Sequence, residues 1–188
     1  LYSSAASDVY KRQEDFGSGD WGFALGRQQL FFQDGFLIND TIDAVGITRN
    51  SVRFEGVPWI TNLRTTFVFA PGEVNRHDNR KQSGADLYGL FTAIDTFFGT
   101  FNSTVELDIG YTDAPSSTND DLIAIGLGAI QRIGLFSTSL RVNYSIATQR
   151  KTANADDGLL IFGELSWTPT HTLDIVYINA FWGEDQFR

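Results

Sequence analysis

Apolar or small residues occupy every second position from Phe101 to Tyr111, and Asn102, Thr104, Glu106, Asp108 and Gly110 fill the positions between. Side chains alternate across an extended chain, so this spacing predicts a β-strand with one greasy and one polar face. The same period of two recurs and predicts nine strands, at about residues 21–32, 45–57, 62–70, 86–95, 101–111, 122–131, 135–147, 159–167 and 172–182. In the second, Arg49, Ser51, Arg53 and Glu55 are expected on one face against Val52 and Phe54. In the third, Leu63, Thr65, Phe67 and Phe69 oppose Asn62, Arg64 and Thr66. The seventh sets Phe136, Leu140, Val142 and Tyr144 against Ser139, Arg141, Asn143 and Ser145. Glu164 and Asp174 stand opposite the apolar positions of the eighth and ninth, the latter Leu173, Ile175 and Tyr177. The fourth and sixth carry small or apolar residues at both parities, which leaves their facing open.

The connectors alternate in length. Residues 33–44, 71–85, 112–121 and 148–158 form long polar segments, and residues 58–61, 96–100, 132–134 and 168–171 form short ones. Antiparallel neighbours joined this way gather every long loop at one end, as in an outer-membrane barrel. A soluble β-sandwich has no cause to alternate its loops. Aromatic residues such as Trp21, Trp59, Tyr111, Phe136, Trp167 and Trp182 fall near strand ends, where amphipathic rings favour a membrane interface. The expected fold class is therefore all-β: an antiparallel up-and-down transmembrane β-barrel, incomplete, with about nine strands of a larger barrel.

Composition narrows the partners. A formal charge of -9, with 14 Lys and Arg against 23 Asp and Glu, argues against nucleic acid. The absence of cysteine excludes disulfides and thiolate metal sites. No apolar run approaches the roughly 20 residues of a membrane-crossing helix, whereas a barrel strand needs only about 9 to 11. Residues 3–13 read SSAASDVYKRQ, which resembles a translated sequencing adapter, so residues 1–13 are set apart from the expected barrel domain at 14–188. No signal peptide is visible, and both ends of the chain are expected to be truncations of the barrel.

Candidate chemistry is sparse. His77 and His171 are expected at opposite ends of the strands, so they cannot share a metal or a triad, and no enzyme or cofactor is expected. The acidic pairs Asp120 with Asp121 and Asp156 with Asp157 read as solvated loop. The informative group is the set of charges opposite the apolar faces: Arg49, Arg53, Glu55, Arg64, Glu106, Asp108, Arg141, Glu164 and Asp174. Inside a wet barrel they form either a ladder of ion pairs or a selectivity lining for a hydrophilic solute.

Residues 25–57, LGRQQLFFQDGFLINDTIDAVGITRNSVRFEGV, resemble the N-terminal part of the alginate-export family of outer-membrane channels. The matches are Gly26, Arg27, Gln28, Asp34, Gly35, Arg49, Phe54 and Gly56; Phe36 and Glu55 depart from the family pattern, and its loop tryptophan is absent. The resemblance implies a bacterial outer-membrane location, a barrel of about eighteen strands, and passive export of an anionic polysaccharide through a basic lumen without a cofactor. By matching position it makes Arg27 and Arg49 lumen residues. Glu55, Glu106, Asp108, Glu164 and Asp174 on the same side weigh against strong anion selectivity. Two other readings stay open: a non-conducting barrel that binds a surface partner through its long loops, and a soluble β-sandwich binding module.

Overall fold

The computed structural model describes residues 21–52, 56–75, 81–98, 101–114, 121–149, 157–170 and 174–184. Among the described residues eleven strands follow one another: β1 (Trp21–Phe32), β2 (Ile38–Val52), β3 (Ile60–Ala70), β4 (Glu73–Asn75), β5 (Lys81–Ser83), β6 (Asp86–Phe98), β7 (Phe101–Asp113), β8 (Asp121–Ile133), β9 (Phe136–Gln149), β10 (Gly158–Trp167) and β11 (Val176–Gly183). Nine of them form one open up-and-down sheet in the order β1-β2-β3-β6-β7-β8-β9-β10-β11, and β4 pairs with β5 as a small hairpin inside the connection from β3 to β6. Every pairing is antiparallel.

Registered pairs assign the faces. Phe23, Ile47, Phe67, Leu90, Ile109, Ile125, Tyr144 and Leu159 form one continuous cross-strand row on the apolar face. The opposite, inner face carries the row Arg64, Ala93, Glu106, Gly128, Arg141 and Phe162, and beside it Thr66, Phe91, Asp108, Gly126, Asn143 and Leu160. The apolar face is uncovered: Leu127 is 51% and Leu140 52% exposed, whereas Arg141 is 1% and Asn143 0% exposed. A soluble protein places these residue classes the other way round.

The inner face is covered by the chain's own first hairpin. Pairing between β2 and β3 begins at Val45, so residues 26–32 and 38–44 project past the end of β3. Gly26, opposite Ala44, sits where the hairpin leaves the sheet, and its φ of 107° is one that L-residues rarely adopt. Gln28 Nε2 donates to Ala44 O at 3.0 Å and braces that point. The hairpin brings Leu30 and Ile42 into a buried apolar cluster with Val68, Val74, Leu87 and Phe91. Phe32 stacks on Phe91 with ring centroids 3.4 Å apart.

Three connections are pinned at the base by an aspartate of the strand end. Asp86 Oδ1 accepts from Gly72 N at 3.0 Å, Asp121 Oδ1 from Ala114 N at 2.9 Å, and Asp157 Oδ1 from Ala147 N at 3.3 Å.

The expected strands recur with three departures, the first being that residues 71–85, expected as a long polar loop, contain the β4–β5 hairpin. Residues 38–44, expected as loop from their polar content, are the start of β2; pairing with β1 outweighs the low strand propensity of Asn39, Asp40 and Asp43. The first connector is consequently short, and the strict alternation of loop lengths does not extend to it. At the far edge, β11 begins at Val176, and Tyr177 registers with Ser166 on the inner face rather than among the apolar positions.

Candidate functional site

The tip of the first hairpin, residues 33–37, lies against the inner face of β6 to β10. Gln33, Asp34 and Gly35 hold φ values of 54°, 55° and 84° in succession. Left-handed backbone is uncommon for a glutamine and persists only where surrounding contacts impose it. Those contacts are polar. Gln33 Nε2 donates to Asp108 Oδ2 at 2.5 Å, and Arg141 Nε donates to Asp34 Oδ2 at 2.9 Å. Arg141 Nη1 donates to Glu106 Oε2 at 2.6 Å, and Thr92 N donates to Asp108 Oδ1 at 3.2 Å. Phe36 meets Phe162 with centroids 4.7 Å apart.

Glycine makes room for this group. Glu106 and Arg141 stand on strands two apart, about 9–10 Å between backbones, with Gly128 between them in the same row. A Cβ on Gly128 would meet Arg141 Nη1, with Gln33 Oε1 at 2.8 Å and Glu106 Oε2 at 3.0 Å. Gly126 does the same one row away, where a Cβ would lie 2.7 Å from Asn143 Oδ1, 3.0 Å from Gln33 Cγ and 3.2 Å from Leu37 Cδ2. Both amide atoms of Asn143 and the Oε1 of Gln33 are buried and make no hydrogen bond among the described residues. A buried amide without a partner costs about 1–3 kcal/mol, which the rest of the contact must offset.

Of the residues selected from sequence, Glu106, Asp108 and Arg141 come together here. Arg64 shares the inner row with Glu106 but is exposed beyond Ala93. Glu164 is half-buried on the inner face opposite Ser139, away from the cluster. Three others lie elsewhere. Arg49 falls on the apolar face, with its guanidinium 5.0 Å from the Trp21 ring centroid, because the register shifts between Arg49 and Val52 and alternation counted back from Phe54 crosses that irregularity. Arg27 lies on the same side of the sheet as Leu25, on the projecting part of the hairpin, 4.0 Å from its partner Asp43. Asp174 is exposed ahead of β11, because that strand starts later than its sequence suggests. Arg53, Glu55, His77, His171, Asp120 and Asp156 lie outside the described residues. No group of metal-ligating side chains is assembled among the described residues.

Sequence reasoning passed over Gln33, Asn143 and the two glycines as members of a site. The signal for the last was present, since Ala124, Gly126 and Gly128 recur at a period of two along β8 and leave one face bare of side chains.

The fold defines an all-β chain built on one antiparallel up-and-down sheet with a polar, hairpin-covered face and an apolar, uncovered one. No family model, no curated protein and no solved structure matches it.

Proposed function

We propose that the chain forms part of the wall of an outer-membrane β-barrel channel, similar to the alginate-export type, which passes a hydrophilic solute along its inner face. The observation that carries this reading is the inversion of the sheet. Leucine, isoleucine and phenylalanine face outward in continuous rows, while a fully buried arginine and its carboxylates face inward. Hydrocarbon around the outside removes the cost of those exposed rows, and solvent within accommodates the charges. Rings at both strand ends fit the same placement: Phe136 stacks with Trp167 near the short turns at 6.3 Å, and Tyr88 with Tyr111 near the long connections at 6.2 Å. The nine strands would be completed by others into a closed wall, because β1 and β11 each leave an edge unpaired among the described residues. Transport of this kind needs no catalytic group or cofactor.

A second reading, a non-conducting barrel, is favoured by the packing of the hairpin tip over the inner face, with Phe32 on Phe91 and Phe36 on Phe162. Conductance of the complete protein in planar lipid bilayers separates the two. Stepwise ion flow is expected for a channel, and its absence at every voltage overturns that reading in favour of the closed one.

A further inference from the structure

We infer that the hairpin tip and the strands beneath it make the path through this barrel selective for cations, a step that rests on the channel reading above. The Arg141 guanidinium is paired with two carboxylates, Asp34 and Glu106, and a third, Asp108, accepts from Gln33 in the neighbouring row. Even with Asp108 left out, two negative groups stand against one positive group. Their exposure is unequal as well as their number. The Arg141 side chain is 2% exposed, beneath its partners, whereas that of Asp34 is 51% and that of Glu106 21% exposed. An approaching ion therefore meets carboxylate oxygen first, with the compensating charge screened behind it.

A second feature points the same way. Gln33 is nearly fully buried, and its Oε1 accepts no hydrogen bond among the described residues. That oxygen borders a carboxylate: the position a Gly128 Cβ would take lies 2.8 Å from Gln33 Oε1 and 3.0 Å from Glu106 Oε2. An unpaired amide oxygen beside a carboxylate adds to the negative potential that an ion meets at the exposed carboxylates. A polyanionic solute, the one implied by the family resemblance, is disfavoured by this arrangement.

The test is the reversal potential of the complete protein in a planar bilayer under a potassium chloride gradient. Cation preference is expected, and Asp34→Asn is expected to lower the ratio of potassium to chloride permeability several-fold, with Asp34→Lys lowering it further. Because Asp34 is half-exposed on the tip, neither variant depends on replacing a core residue. Ion flow with chloride preference, or a ratio unmoved by Asp34→Lys, overturns the inference while leaving the channel standing. Absence of any ion flow removes both.

Discussion

Arg141 on β9 and Asp34 on the first hairpin tip are 107 residues apart in the chain and meet at 2.9 Å. With Glu106 on the other side of the guanidinium, Arg141 holds a segment from one end of the sheet against strands in its middle. A contact of this separation raises the contact order of the fold, a feature that goes with slow folding.

Removal of that guanidinium should release the tip. Arg141→Met leaves two carboxylates together without a counter-charge, and a charge-assisted hydrogen bond contributes about 1.5–3 kcal/mol. The chain has no cysteine, so Phe36→Cys gives a single reporter. Its reaction with a water-soluble thiol reagent should be about tenfold faster or more in the Arg141→Met background, by the relation of about 1.4 kcal/mol per tenfold. An unchanged rate would remove Arg141 as the anchor.

Two glycine substitutions separate crowding from backbone preference. Gly128→Ala places a methyl against Arg141 Nη1 and Gln33 Oε1 and should cost about 1–3 kcal/mol in a denaturant titration from lipid vesicles. Gly26→Ala meets nothing within 4 Å, yet its φ of 107° should cost about as much through strain alone. Gly163→Ala, in open space at an ordinary φ, should stay within about 0.5 kcal/mol of the parent. Equal effects at all three positions would contradict the bend and the close approach alike.

Leu140 and Leu107 test what lies outside the sheet. On a lipid-facing surface Leu140→Arg should cost about 2–4 kcal/mol if near the bilayer midplane, measured as the vesicle-folding midpoint in denaturant. On a water-exposed surface the same change stays within about 0.5 kcal/mol. A neutral result at both leucines would exclude hydrocarbon contact there.

Spin labels along β7 give an independent reading of the two faces. Labels at Val105, Leu107 and Ile109 should be accessible to molecular oxygen dissolved in the bilayer, and labels at Asn102 and Thr104 to a water-soluble nickel chelate. The alternation follows the registered faces of the strand. Identical accessibility at both parities would remove the lipid and solvent assignment.

The wall was legible in the sequence because its signal is periodic and local. Strand β7 alternates without interruption, and the faces expected for Glu106, Asp108 and Arg141 are those in the structure. Arg49 was not legible, because one irregularity before Val52 reverses the parity of everything counted across it. Residues 38–44 were hidden by composition, since pairing with β1 depends on a partner that periodicity within the segment does not reveal. The cluster itself was out of reach for a different reason. Nothing in the spacing of Gln33 and Asp34 tells that their hairpin folds over a face built mostly from residues 86 to 162.

The aspartates at Asp86, Asp121 and Asp157 tie the feet of three excursions to the strands that carry them. Foreign sequence spliced between those feet adds only the slowly rising entropy of a longer closed loop. The sheet side of each tie would not register the change. Such a scaffold lends itself to carrying epitopes or affinity tags on a surface whose supporting wall is indifferent to the cargo.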